Sequence, residues 1–189
     1  ILKAANLGNI GNVYANKKDY KKALQYFTNS LTIYKKIKDK IGESRMLNSI
    51  GNVYLYIQNY DLALEYYQKA LSTIKNVDVP PRSIAVIYLN IGWTNYELKK
   101  YNEAIPVLKE TLKLNEKIKN RNVERASTST LASCYERIGD VENAEKYLKA
   151  ALTIAQEDND KESLIINYNN YASFLSGTNR LNEAITLEK

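Results

Sequence analysis

The amino-acid sequence predicts an all-α protein, an α-solenoid built from about five antiparallel helix hairpins. A small residue recurs every 40 or 41 positions, an alanine follows it twelve residues later, and a short polar turn lies between the two. The small residues are Gly11, Gly51, Gly92, Ala132 and Ala172, and the alanines are Ala23, Ala63, Ala104, Ala144 and Ala184. A fixed period of this length is typical of repeat arrays, in which each unit contacts only its neighbours.

The recurring small residues predict where the two helices of a hairpin cross. Helices approach closely only where side chains are small, so we expect Gly51 to face Ala63, with Tyr67 filling the space around them. Glycine inside a helix costs about 0.5–1 kcal/mol relative to alanine, a cost that close packing offsets. A larger side chain at Gly51 is therefore expected to overpack the crossing, by about 1–3 kcal/mol.

Short polar segments predict the helix boundaries. Turns such as Gln58-Asn59 are too short for anything but antiparallel neighbours. The predicted repeats are 3–37, 41–75, 81–119, 122–158 and 160–189, with polar connectors at 39–44, 77–83, 119–122 and 157–162. We interpret residues 1–189 as one solenoid domain. Because the chain does not begin with Met and stops inside a repeat, we expect it to be a piece of a longer protein.

Three positions depart from the repeat pattern. Asn95 stands where three other copies have Tyr, and Glu188 stands where the earlier copies have Phe, Tyr or Leu. We expect the last helix either to end there as a cap or to belong to an incomplete copy. Pro106 is expected in or near the first turn of its helix, where a missing N–H costs little.

The order of these residues resembles the tetratricopeptide repeat. The copy that carries the resemblance best has Ile50-Gly51, Tyr54, Ala63, Tyr67 and Ala70. The period exceeds the commonest one, which is about 34 residues, and is similar to the long repeats of kinesin light chains, polarity adaptors and bacterial regulators and sensors. The resemblance implies a right-handed superhelix whose groove holds extended or helical peptides.

The same resemblance implies which residues line the groove. The candidates lie on the first helix of each hairpin: Asn12, Arg45, Asn48, Asn52, Tyr56, Leu89, Trp93, Tyr96, Ser129 and Ser133. Asn12 and Asn52 match asparagines that hold a terminal carboxylate in chaperone-binding members. Those members carry Lys or Arg where this chain has Leu89 and Trp93, so that clamp is broken. Asparagine can instead bond peptide backbone through its donor and its acceptor, while Trp93 either anchors an apolar group or packs between repeats.

The residue inventory argues against catalysis. The sequence has no histidine, one cysteine and no glycine-rich phosphate loop, which removes the commonest general base and metal ligand. We therefore expect no enzyme activity, no metal and no cofactor. Cys134 takes a position occupied by Val, Thr or Phe in the other copies, so we interpret it as a small buried hydrophobe.

The charge is unevenly distributed. Residues 1–125 carry 21 Lys and Arg against 11 Asp and Glu, whereas residues 126–189 carry 6 against 10. The basic part either attracts an acidic partner or simply forms the solvated outer faces of helices. The 16 tyrosines include many at repeat-core positions rather than on a basic exposed face, which disfavours a nucleic-acid stacking platform.

These observations favour a protein- or peptide-binding module, the recognition or regulatory part of a larger signalling protein. Two alternatives stay open: a structural segment whose ends associate in a homodimer, and a basic half that binds nucleic acid. No apolar run approaches the ~20 residues that a membrane helix needs. We expect a cytoplasmic location, with a periplasmic or extracellular sensor domain as the alternative.

Overall fold

The computed structural model describes residues 1–187, and every regular element in that range is an α-helix. The ten helices of this range are α1 (Leu2–Asn16), α2 (Tyr20–Lys36), α3 (Lys40–Tyr56), α4 (Tyr60–Ile74), α5 (Pro81–Glu97), α6 (Tyr101–Ile118), α7 (Arg121–Ile138), α8 (Val141–Glu157), α9 (Lys161–Gly177) and α10 (Leu181–Leu187). Consecutive helices pair as hairpins, and α1, α3, α5 and α7 also contact one another in succession. This nearest-neighbour pattern confirms the predicted all-α solenoid.

Asparagine and aspartate side chains cap the beginnings of most helices. The caps of α2, α3, α4, α7, α8 and α9 are Asp19, Asp39, Asn59, Asn120, Asp140 and Asp160, each accepting a backbone N–H of the first turn. Such a cap satisfies a donor that has no partner within the helix and contributes about 1 kcal/mol. The polar segments of the sequence are therefore helix starts.

One left-handed residue closes each hairpin turn. Lys18, Gln58, Lys99, Gly139 and Asn179 all have φ between 60° and 77°. The residue that follows donates its N–H to the carbonyl five residues back, as Asn59 does to Tyr54 at 2.8 Å. This arrangement ends the first helix and reverses the chain. Only one of these positions is glycine. The other four residues therefore adopt the left-handed backbone conformation at a cost in energy, because their Cβ atom disfavours it.

The recurring glycines make room for a large side chain of the second helix. A Cβ atom on Gly51 would lie 2.5 Å from Cε1 of the buried Tyr67 ring, and one on Gly92 would lie 2.5 Å from Cδ2 of Leu108. Ala63 is fully buried nearby along α4. The Tyr67 ring lies directly against Gly51, in keeping with the expectation that Tyr67 fills the space around this crossing.

Tyrosine pairs recur inside the hairpins. Ring centroids lie 5.3 Å apart in Tyr14–Tyr26, 5.3 Å apart in Tyr54–Tyr66 and 5.6 Å apart in Tyr135–Tyr147, all nearly parallel. In the third hairpin the first position of this pair is Asn95, which is buried. These rings stack on one another within the protein, as expected for tyrosines at repeat-core positions.

Two expectations about helix boundaries are corrected. α3 begins at Lys40, so most of the connector expected at 39–44 is helical, and Gly42 lies buried against Tyr34. Pro106 is the sixth residue of α6 rather than a first-turn residue, so its missing N–H leaves the Asn102 carbonyl without that helical bond. Glu188 lies outside the described residues.

The buried apolar residues form two clusters that meet in the third hairpin. One cluster runs from α1 to Ile91 of α5, and the other runs from Ala104 of α6 to α10. Buried polar side chains concentrate in the third hairpin and in α7, which packs against it: Thr94, Asn95, Thr111, Asn115, Ser127, Thr128 and Thr130. Thr94 and Thr111 donate to carbonyls four residues back in their own helices. The hydrogen bonds of these two hydroxyls therefore lie within single helices and do not link one repeat to the next.

Candidate functional site

The candidate residues all lie on the first helices of the first four hairpins, and none of them is buried. Asn12, Arg45, Tyr56 and Trp93 are exposed, and Asn48, Asn52, Leu89, Tyr96, Ser129 and Ser133 are half-buried. We call this set of ten residues the groove face. In each of these four helices a glycine or a buried alanine lies at the position where the second helix of the same hairpin packs. This packing fixes the orientation of the helix that carries the candidate side chains.

Three asparagines from neighbouring hairpins, two of them on the groove face, form one hydrogen-bonded network. Asn90 Nδ2 donates to Asn48 Oδ1 at 2.9 Å and to Asn52 Oδ1 at 3.0 Å. The hydroxyl of Tyr67 also donates to Asn52 Oδ1, at 2.7 Å. We call Asn48, Asn52 and Asn90 the amide network. It joins two predicted residues, Asn48 and Asn52, across adjacent repeats.

The amide network leaves specific hydrogen-bonding groups unused. Within the described part of the chain, the Nδ2 groups of Asn48 and Asn52 and the Oδ1 atom of Asn90 have no hydrogen-bond partner. Burial raises the pKa of Tyr67, so its hydroxyl stays neutral and donates to Asn52. The network therefore offers two donor groups and one acceptor, the complement of the C=O and N–H groups of a peptide backbone.

Asn90 and Tyr67 belong to the amide network or support it, but they are not among the ten residues predicted from the sequence. Asn90 lies two residues before Gly92, on a helix face that was not assigned to the groove. A signal was present, because asparagine is a weak helix former and three of them stand in the middle of α3 and α5. Asn12, the other predicted asparagine, is exposed on α1 and takes no part in the network.

Aromatic side chains continue the groove face along α5. The Trp93 and Tyr96 ring centroids are 5.9 Å apart, and Tyr96 lies 5.7 Å from Tyr101 at the start of α6. Trp93 is nevertheless 42% exposed. The indole thus packs on Tyr96 of its own helix and also presents an apolar surface to solvent.

The remaining candidates fall into separate surroundings. Tyr56 is 63% exposed and stacks on Tyr20 at 6.1 Å, whereas Leu89 packs against the second apolar cluster. Ser129 and Ser133 line a cleft of about 160 Å³ between α7 and α9. Hence Asn48, Asn52, Trp93 and Tyr96 lie on α3 and α5, which contact each other, and the serines form a second, small and polar region.

Ion pairs occupy three arginines of the C-terminal half, Arg121, Arg125 and Arg180. Arg121 bonds Glu157 and Asp158, each at 2.6 Å, and Arg180 bonds Glu145 at 2.6 Å. The Arg180 guanidinium is the main reason that the pKa of Glu145 falls to about 2. These charges link α7 to α8 and α8 to the turn before α10, so they serve the packing of the repeats.

The part of the chain that the structure describes contains no group of three or more His, Cys, Asp or Glu residues that could hold a metal ion. Cys134 is fully buried, as predicted, and burial raises its pKa to about 11, which keeps the thiol protonated at neutral pH. Among the same residues, no helix has the length and apolar character needed to cross a bilayer.

Comparison with known proteins identifies the repeat. The family model for the tetratricopeptide repeat matches residues 2–76, 45–117 and 124–189. A search of curated proteins finds no match to this chain.

Solved structures share the fold at low sequence identity. BtubC (BKLC) from P. vanneervenii has a TM-score of 0.86 at 17% identity, with 96% of this chain and 75% of that chain covered. The apo form of RapI has a TM-score of 0.82 at 14% identity, and the chain covers 52% of its length. A Rap protein complexed with competence and sporulation factor has a TM-score of 0.76 at 16% identity, with 99% of this chain and 52% of that chain covered. The three family matches together span nearly the whole sequence, and the chain belongs to the tetratricopeptide repeat family.

Proposed function

We propose that this chain is a peptide-binding scaffold whose groove face holds an extended or helical segment of a partner protein. The observation that carries the proposal is the amide network, which presents unused donors and an acceptor from two adjacent repeats. Because Asn52 is fixed by Tyr67 and Asn90 together, these groups are held in place before a ligand arrives. Preorganised polar groups lose less conformational entropy on binding.

Trp93 supplies the apolar part of the proposed interaction. Tryptophan is favoured at binding hot spots because it offers a large, rigid contact area. Here Tyr96 supports one side of the ring while a large part of the side chain stays exposed. Trp93 lies on the same helix as Asn90. A peptide whose backbone bonds the amide network would therefore place an apolar side chain against Trp93.

Likeness to a Rap protein in complex with competence and sporulation factor is in keeping with this proposal. That structure shares only the fold with this chain, and the chain spans about half of its length. We propose by analogy that the present repeats are the recognition part of a larger regulatory protein.

Asparagine-to-aspartate substitutions test the role of the amide network without removing its internal bonds. Asn48→Asp and Asn52→Asp keep the oxygens that accept from Asn90 and Tyr67, but replace the free donors by acceptors. Peptides selected from a displayed library of random short sequences on the unaltered protein should lose about tenfold or more in affinity, measured by fluorescence anisotropy. Asn29→Asp, the same change at an exposed site on α2, is the control and should bind normally.

Trp93→Ala provides an independent test of the groove face. It should weaken the same peptides while the helical circular dichroism stays unchanged. Unaltered affinity in both the aspartate double variant and Trp93→Ala would refute the proposed site.

Self-association is a second candidate, favoured by one observation on α1. Ile10 is 39% exposed and Val13 is 52% exposed, whereas their counterparts Ile50 and Val53 are only 3% and 1% exposed. The apolar face of α1 could therefore pack on a second copy. Light scattering over a concentration series tests this, and a monomer at every concentration would exclude it.

A further inference from the structure

A cavity of about 380 Å³ opens between the N-terminal parts of α3 and α5. The end of α4 and the connector before α5 complete its wall. Its apolar lining includes Ile41, Ile74, Val79 and Val86, and two arginines, Arg45 and Arg82, also line it. A cavity of this size accommodates one large side chain, and its mixed lining suits an apolar group that carries negative charge beside it.

The two arginines of this cavity are available to a ligand. Both are exposed, and within the described residues neither has a carboxylate at ion-pair distance. Arg121, Arg125 and Arg180 each bond at least one carboxylate of the protein, whereas Arg137 resembles Arg45 and Arg82 in having none among the described residues, but it does not line this cavity. The nearby Glu43 is buried and bonds Lys40 at 3.0 Å.

The cavity is continuous with the proposed peptide site. Asn48 lines the cavity and also accepts the amide hydrogen bond of Asn90. Arg45, Asn48 and Asn52 follow one another at helical spacing along one side of α3. A chain bonded to the amide network therefore passes the mouth of the cavity.

Building on the proposed function, we propose that the cavity selects acidic peptides, namely segments in which an aliphatic residue has Asp or Glu side chains beside it. The aliphatic side chain fills the apolar part, and the acidic side chains bond Arg45 on α3 and Arg82 on α5. Arg45 and Arg82 lie on the two helices that flank the cavity, so an acidic segment that crosses the cavity can bond each arginine with a different carboxylate. Arginine–carboxylate bonds are among the stronger hydrogen bonds in proteins and are directional.

Peptide selection with charge-reversed protein tests this inference. The unaltered protein and the Arg45→Glu/Arg82→Glu variant are each used to select from a displayed library of random short peptides. We expect the unaltered protein to enrich Asp and Glu beside Leu, Ile or Val, and the variant to lose that acidic preference. Lys3→Glu/Lys21→Glu makes the same change of net charge at exposed helix starts and should keep the preference.

Direct binding gives the second measurement. Arg45→Gln/Arg82→Gln should weaken a selected acidic peptide by about tenfold or more, and the affinity of the unaltered protein should fall as salt is raised. Selection is compared for the unaltered protein, Arg45→Glu/Arg82→Glu and Lys3→Glu/Lys21→Glu. If all three select peptides with the same Asp and Glu content, the inference is wrong while the proposed function stands. If no peptides are selected at all, both proposals are wrong.

Discussion

Replacing Gly51 by alanine should destabilise the protein although alanine is the better helix former. The new methyl carbon would lie 2.5 Å from Cε1 and 2.8 Å from Cδ1 of Tyr67. Ordinary carbon–carbon contacts are about 3.5–4.0 Å, so the ring must move by roughly 1 Å. Tyr67 is completely buried and its hydroxyl bonds Asn52, which means that the movement also strains the amide network.

The expected magnitude combines two opposing effects. Overpacking of a tight core costs about 1–3 kcal/mol, whereas Gly→Ala inside a helix gains about 0.5–1 kcal/mol. We therefore expect Gly51→Ala to lower the free energy of unfolding by about 1–2 kcal/mol. For a chain of this length each kcal/mol lowers the Tm by about 2–4 °C.

Thermal and urea unfolding followed by circular dichroism will measure this loss. Gly177→Ala is the matched control, because no heavy atom lies within 4 Å of the added carbon at that helical position, and it should be neutral or slightly stabilising. Adding Tyr67→Leu to Gly51→Ala recreates the native pair Ala132 and Leu148 of the fourth hairpin and should recover part of the loss. If Gly51→Ala matches or exceeds the unaltered protein in stability, close packing of the Tyr67 ring is not the reason for the recurring glycine.

Three further predictions concern single side chains. Ser127→Ala should raise the free energy of unfolding by about 1 kcal/mol in urea titrations, because the buried Ser127 Oγ has no hydrogen-bond partner in the structure; Ser30→Ala, which removes a 2.7 Å bond to the Ala4 carbonyl, should lower it by a similar amount, and equal effects of the two would contradict the reasoning. Lys99→Gly should stabilise the protein by about 0.5–1 kcal/mol, because Lys99 has φ 60° and glycine adopts that conformation without strain; a loss in Tm would count against this. The pKa of Glu145 is lowered to about 2, first by Arg180 and then by Lys149, so its contribution should be fully present above about pH 4.5 and disappear as the pH falls toward 2; Glu145→Gln should flatten that part of the stability profile, and an unchanged profile would show that this ion pair does not matter.

Repetition made the fold predictable from the sequence. The spacing of Gly51, Ala63 and their counterparts determined the number, order and pairing of the helices, because a helix hairpin leaves few ways to bury one apolar face. Helix ends were less predictable. The connector at 39–44 is polar in composition, yet Gly42 and Ser44 are buried in α3, since contact with Tyr34 and the Ala70 carbonyl outweighs the local signal.

The candidate site was predictable only in outline. The resemblance selected the groove positions Asn48 and Asn52, but pairing with Asn90 depends on the angle between α3 and α5, which no local pattern specifies. The cavity beside Arg45 was missed for the same reason. Its wall combines residues of α3, α4, α5 and a connector that lie about forty positions apart in the chain.

The division of the apolar core has a mechanical consequence. The hydroxyls of Thr94 and Thr111 lie at the seam between the two clusters and bond within their own helices, so these bonds do not resist a small rotation of one half on the other. The amide network lies on one side of this seam and the cleft at Ser129 and Ser133 lies on the other. A ligand long enough to bind both regions would connect the two halves of the array and would set the angle between them.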